Sequence, residues 1–185
     1  AGQAAAAESK GTAMKDHSRE IGHEEKLRVY AKNRYLNKII YGGDRRLMED
    51  ENINLQVELS ADLDDCYLLV TGMKRWQLDL IPEGQYRYFD LAPAMSNAVY
   101  GILEQCGYQG DYTYMDPTQE ICILFSPKAG AQVRAEAGET AEKIQERLNR
   151  ILQKKICSEQ LCCFTVYGGH VDGYERLAER FRQTT

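Results

Sequence analysis

The side chains in this sequence that could do chemistry are scattered. His17, His23 and His170 lie far apart and none sits in an H-x-x-x-H or H-E-x-x-H pattern, so no helix offers two imidazoles to a metal. Neither a G-x-S-x-G nucleophile elbow nor a phosphate-binding P-loop occurs. Asp62, Asp64 and Asp65 crowd together, but the spaced glycine and terminal glutamate of a calcium loop are missing, and the cluster reads as a solvated turn. Among the six cysteines, Cys66 and Cys122 sit in the apolar runs Cys66–Val70 and Ile121–Phe125, where a free thiol behaves as a small buried hydrophobe. Cys157, Cys162 and Cys163 lack the paired C-x-x-C spacing of a zinc site, and the adjacent Cys162 and Cys163 should face opposite sides of a strand. These thiols therefore predict a reducing, cytoplasmic setting, with no metal and no cofactor.

One segment has the residue types of a binding loop. Lys74, Arg75 and Trp76 precede Arg87, which lies among Tyr86, Tyr88 and Phe89. Aromatics and cations on a loop can receive an anionic small ligand or a partner. The structural alternative is a loop that folds back on its own sheet. Asp116, in the turn Asp116-Pro117-Thr118, adds one carboxylate to the candidate ligand-binding set Lys74, Arg75, Trp76, Arg87 and Asp116.

The whole chain limits what such residues can serve. Its 185 residues, 21.1 kDa, suit one domain with an appendage. A formal charge of −5 and a pI near 5.3 disfavour direct binding to duplex nucleic acid, which needs a clustered basic face. No apolar stretch approaches the roughly 20 residues of a membrane span, and no secretory signal is evident.

The elements that must position these residues follow from periodicity. Residues 1–17 are rich in Ala, Gly, Ser and Lys and read as a leader or linker. A helical arm is expected over 18–56. Leu27, Ala31, Tyr35 and Ile39 recur at helical spacing until Gly42-Gly43, and a shorter helix is expected near Arg45–Ile53. Residues 57–185 then alternate. A strand is predicted over Asp65–Thr71 and a loop over Gly72–Tyr88. The stripe Leu91, Met95, Val99, Ile102, Cys106 predicts a helix stopped by Gly107. Strands are predicted at Asp111–Met115 and Ile121–Phe125, a long helix from Ala141 to Lys154-Lys155, and a strand at Leu161–Tyr167. A final helix is expected to carry Val171, Tyr174, Leu177 and Phe181. This is an α+β chain with a ferredoxin-like β-α-β-β-α-β core, an N-terminal helical arm and a C-terminal helix, its two core helices on one face of an antiparallel sheet.

That element order serves nucleotidyl cyclases, RNA-recognition motifs and ligand sensors alike, so the residues must decide. Glu120-Ile-Cys-Ile-Leu-Phe-Ser126 has neither the basic residue nor the glycine of an RNA-stacking strand. A nucleotidyl cyclase needs carboxylates that hold magnesium at the end of its first strand. Here Thr71-Gly-Met-Lys74 stands in that place, and the turn Tyr114–Glu120 lacks paired glycines. Gly42-Gly43-Asp44 precedes the first strand and reads as a helix-terminating turn.

From about Lys26 to Gln183 the chain resembles the degenerate GGDEF-like region between the receiver and the DNA-binding domain of long AraC-type response regulators. The resemblance rests on Tyr35-Leu-Asn-Lys-Ile-Ile-Tyr-Gly-Gly43, on Asp65-Cys-Tyr-Leu-Leu-Val70, and on Cys163-Phe-Thr-Val-Tyr-Gly-Gly169 with Tyr174-Glu-Arg-Leu-Ala-Glu-Arg-Phe-Arg-Gln183. Phe181-Arg182 departs from the Ser-Tyr of that family's closing helix, and helix-turn-helix repeats are missing from this sequence. The resemblance implies a non-catalytic, signal-transmitting module of a bacterial transcription regulator. Its partners would be receiver and helix-turn-helix domains, with a possible homodimer through Leu27, Ala31, Tyr35 and Ile39. The alternative is a sensor that binds a nucleotide or metabolite in a remnant cyclase cleft.

Overall fold

The unbroken apolar run Cys66–Val70 lets Asp65–Gly72 (β1) lie at the centre of a sheet with both faces covered. The computed structural model describes Arg28 and residues 30–41, 57–73, 88–115, 120–156 and 162–185. Helix α1 spans 30–41, followed by β1, α2 (Tyr88–Cys106), β2 (Tyr108–Met115), β3 (Glu120–Pro127), α3 (Ala137–Ile156) and β4 (Phe164–Asp172). A short 3-10 turn, Tyr174–Arg176, leads into α4 (Leu177–Thr184). The expected leader, and the short helix expected near Arg45–Ile53, lie outside the described residues.

The four strands stand in the order β2-β3-β1-β4, and every neighbouring pair is antiparallel. The α+β class and the antiparallel sheet are therefore as expected. β1 and β2 run the same way with β3 between them, and α2 makes the crossover. β3 and β4 likewise run the same way with β1 between them, and α3 crosses over. The helix starting at Tyr88 ends where Gly107 takes a φ of 88°. There a Cβ would stand 2.3 Å from the Gln132 carbonyl oxygen, so glycine is required on two counts.

Each face of the sheet has its own core. On one, α2 contributes Met95, Val99 and Leu103, and α3 contributes Ala141, Ile144 and Leu148, at the three-and-four spacing of a helix stripe. They cover Leu69, Ile123 and Phe125 of the central strands. On the other face α1 places Tyr35, Leu36, Ile39 and Ile40 against Leu68, Val70 and Leu124, and α4 adds Leu177 and Phe181. A helix as short as α1 is marginal alone in water. Four buried side chains at about 1.5–3 kcal/mol each change that balance. The arm thus shares a core with residues that follow it.

Several boundaries differ from the periodicity reading; α3, expected from Ala141, starts at Ala137. Val171, expected in the final helix, is the buried residue near the end of β4, and the helix starts only at Leu177. β2 begins at Tyr108 rather than Asp111, because Gly110 allows the strand to lie against Leu103 and the Leu124 carbonyl. β4 begins at Phe164, later than the expected Leu161, and runs through Gly168-Gly169 rather than stopping before them. The pairing passes from Leu68 opposite Gly169 to Leu69 opposite Tyr167, leaving Gly168 as the extra residue of a bulge. Gly169 takes a φ of 82°, and a Cβ on Gly168 would come within 2.7 Å of the Thr184 hydroxyl. Two glycines continue a strand here because the bulge and the close approach of α4 need them.

Candidate functional site

The strand register brings the end of β1, the end of β2 with the start of β3, and the start of β4 to one end of the sheet. Thr71 pairs with Ile121, Met115 with Glu120, and Gly72 with Phe164. This is where a metal-holding carboxylate would stand in a cyclase. Instead the Thr71 hydroxyl donates to the Phe164 carbonyl at 2.9 Å and lies 3.2 Å from the Thr165 hydroxyl, while Met73 is buried in the core. The candidate ligand-binding residues Lys74, Arg75, Trp76, Arg87 and Asp116 lie outside the described residues. Among the described residues, no cluster of three His, Cys, Asp or Glu side chains is arranged to hold a metal ion.

Among the described residues, one buried carboxylate oxygen at this end, Oε2 of Glu120, has no hydrogen-bond partner. Such a group is disfavoured unless something satisfies it. On the same face, burial drives the Cys122 thiol pKa far upward, and Cys66 and Glu120 add to the effect. Burial likewise pushes Cys66 up to about 12, reinforced by Asp62, Asp65 and Asp64. Cys163 reaches about 12 by burial, although a hydrogen bond from Thr71 opposes the rise. These thiols are poor nucleophiles and poor metal ligands at neutral pH.

At the opposite end β1 and β4 bring together a pair that the sequence separates by 105 positions. Nε2 of His170 lies 2.5 Å from Oδ1 of Asp65, and the imidazole centre stands 5.3 Å from the Tyr67 ring. A carboxylate of this kind can orient an imidazole for proton transfer. The described hydrogen bonds bring no serine or cysteine to the ring, and the two side chains are 48% and 71% exposed. A polar pair so open to water contributes little to stability. Asp62 and Asp64 lie in the turn that precedes the strand, with the Asp64 amide donating to the Asp62 carboxylate at 3.0 Å. That agrees with a solvated turn.

A third cluster has the densest polar bonding, and composition gave no hint of it. Asp111, fully buried on β2, accepts from Lys32 Nζ at 2.7 Å and from the amides of Ser60 and Ala61 at 2.6 and 2.9 Å. Beside it α1 closes the sheet edge. Oδ1 of Asn33 accepts the Tyr114 amide at 3.3 Å, and Nδ2 of Asn37 donates to the Tyr114 carbonyl at 3.0 Å. Asparagines one helical turn apart thus supply both bonds that a further strand would have made. The signal was present as an N-x-x-x-N spacing beside a strand-edge tyrosine, but nothing local identifies the partner.

The dimerisation candidates fall on this same helix. Tyr35 and Ile39 are 5% and 2% exposed and pack on the chain's own sheet, Ala31 is half-buried, and Leu27 lies outside the described residues. At the other end of α1, Tyr41 meets Phe181 of α4 edge to face, with ring centres 5.8 Å apart. Burial, then the neighbouring Tyr174, raises the Tyr35 hydroxyl pKa. The first and last described helices therefore touch one another over a common face. In comparison with known proteins, no family model, no curated protein and no solved structure matches this chain.

Proposed function

We infer that this chain is a non-catalytic, signal-transmitting module of a bacterial AraC-type transcription regulator, built on a ferredoxin-like core. The observation that carries this reading is the seam between α1 and α4. The helix that enters the domain and the helix that leaves it share one apolar core and meet at Tyr41 and Phe181. The bonds from Lys32, Asn33 and Asn37 hold α1 to the β2 side of the sheet, so a displacement of α1 moves a rigid body. Such coupling has physical meaning only if each end biases the same two arrangements. The order β2-β3-β1-β4 with α2 and α3 as crossovers supports the ferredoxin-like core. The buried free thiols support a reducing, cytoplasmic setting, and no helix of the described residues is long and apolar enough to cross a membrane. Its partners in this reading are receiver and helix-turn-helix domains, and the chain itself does not contact nucleic acid.

The test is twofold. Hydrogen exchange of the purified chain should show that Tyr41→Ala speeds exchange in 177–184 by roughly two- to tenfold while leaving α3 unchanged. Unaltered exchange in α4 would remove the seam as a transmission path. Magnesium-dependent turnover of GTP by the same protein would overturn the non-catalytic reading.

A second reading has one observation in its favour. The unpartnered Oε2 of Glu120 lies at the end of the sheet where a remnant cyclase cleft would be, and a bound donor would satisfy it. A nucleotide or metabolite sensor would show a saturable rise in melting temperature with a ligand from a nucleotide panel, and Glu120→Gln would diminish that rise.

A further inference from the structure

Charge is unevenly spread over the described helices. α2, α3 and α4 each carry carboxylates, Glu104, Glu139 and Glu179 among them, whereas the charged side chains of α1 are Lys32, Arg34 and Lys38. On a chain of net charge −5, α1 is therefore a local basic surface. Lys32 turns inward to Asp111. Arg34 and Lys38 are exposed, and among the described residues neither has an ion-pair partner.

The two free cations stand between two tyrosines. Tyr30, Arg34 and Lys38 follow one another at four-residue steps and Tyr41 comes three later, so all four share one stripe of the helix. The stripe is turned away from Leu36, which is in the core. Tyr30 is 66% exposed and Tyr41 49%, more than any other large hydrophobic side chain among the described residues. From end to end the stripe runs about 16 Å, roughly three helical turns.

The pattern discriminates between occupants. A second copy docked by this face about a two-fold axis would set Arg34 against Lys38, or each cation against itself, like against like. A nucleic acid would gain two phosphate contacts, too few to hold it at physiological salt against a net charge of −5. An anionic membrane would gain the same two screened cations, and the stripe has no aliphatic side chain to enter the hydrocarbon. An acidic helix matches both features. Carboxylates one turn apart on it meet Arg34 and Lys38, and the tyrosine rings at the two ends cover apolar side chains beside them.

We propose that the solvent face of α1 is a docking surface for an acidic amphipathic helix of another protein, with Arg34 and Lys38 facing carboxylates one turn apart and Tyr30 and Tyr41 packing at the two ends. The proposal goes beyond the transmission reading and does not require it, because it concerns the side of α1 turned away from the core. A contact of this size belongs to the weak, transient class of interfaces.

Fluorescence anisotropy with the full 185-residue chain tests it. The probe is a labelled alanine-based helical peptide with glutamates at four-residue spacing and leucines beside them. Binding should saturate with a Kd of roughly 10–100 µM at about 50 mM sodium chloride and weaken several-fold at about 300 mM. Arg34→Glu with Lys38→Glu should weaken it at least tenfold at an unchanged melting temperature, since both side chains are exposed. Arg34→Gln with Lys38→Gln should weaken it less, and keeps the test valid if the reversed variant misfolds. Tyr30→Ala should weaken binding several-fold while leaving its salt dependence as it was. Failure of the probe to saturate at millimolar protein and low salt overturns the proposal. So does binding that is equal for the charge-reversed variant or for a peptide with glutamine in place of glutamate. Tighter binding to a duplex oligonucleotide, or to vesicles of phosphatidylserine and phosphatidylcholine, than to the acidic peptide also overturns it.

Discussion

The ring of Tyr41 stands edge-on to the ring of Phe181, 5.8 Å from centre to centre and 81° out of plane, and joins the first described helix to the last. Phe181 is buried whereas Tyr41 is half exposed, so truncating the two should have unequal effects. Phe181→Ala should lower stability by about 3–5 kcal/mol as a large core deletion. Tyr41→Ala should cost about 0.5–1.5 kcal/mol, mainly the ring pair. In the double variant the two effects should fall short of additivity by a similar 0.5–1.5 kcal/mol, measured by urea denaturation. Strict additivity would mean that the rings touch without coupling.

Asp111 is the other point at which distant segments meet. Removing its carboxylate by Asp111→Ala strands the amides of Ser60 and Ala61 and leaves Lys32 without its charge partner. Breaking a buried pair in this way typically costs about 3–5 kcal/mol. At about 2–4 °C per kcal/mol for a chain of this size, the melting temperature should fall by roughly 10 °C. Lys32→Met keeps the amide bonds and removes one charge at a partly exposed position, so its effect should be clearly smaller.

Gly107 and Gly130 both take positive φ values, 88° and 74°, but only the first is crowded. Gly107→Ala should destabilise by more than about 3 kcal/mol, since left-handed strain adds to a clash with the Gln132 carbonyl. Gly130→Ala, with nothing within 4 Å of its Cβ, should cost only about 1 kcal/mol. Equal effects would show that the connection after Gly107 moves aside.

Alkali should unfold the protein through its buried acids. Cys66 and Cys163 rise from 9 to about 12 and Tyr108 from 10 to about 12, in each case chiefly by burial. These groups keep their protons in the folded state after the unfolded chain has lost them. Their contribution is complete below pH 9 and is lost progressively from pH 9 towards 12. Within that window each buried thiol removes up to about 1.4 kcal/mol per pH unit, and Tyr108 adds to the loss only above pH 10. Urea midpoints measured from pH 8 to 10.5 should fall with increasing slope. A flat profile would mean that these groups become exposed in the native state.

Thiol labelling gives a simpler check. Cys162 is exposed, whereas Cys66, Cys106, Cys122 and Cys163 are buried. Iodoacetamide at pH 8, read by peptide mass mapping, should modify Cys162 at least a hundredfold faster than those four. Comparable rates would place the start of β4 outside the core.

The elements whose residues interact within a few positions were legible in the chain alone. The short apolar runs Cys66–Val70 and Ile121–Phe125 have the length of strands buried on both faces, and the stripe Met95, Val99, Cys106 has the 3.6 period that a helix backbone imposes on its own side chains. The turn chemistry of Gly107 was legible for the same reason, because a positive φ is a local requirement. The tertiary structure decided everything that depends on which distant surface arrives. It turned Tyr35 and Ile39 inward onto the sheet, made a hub of Asp111, joined His170 to Asp65, and carried β4 through two glycines that look like a stop. An apolar stripe says that a face must be buried but not by what. A buried carboxylate or an open strand edge acquires its partner only when segments some 50 to 105 positions apart are brought together.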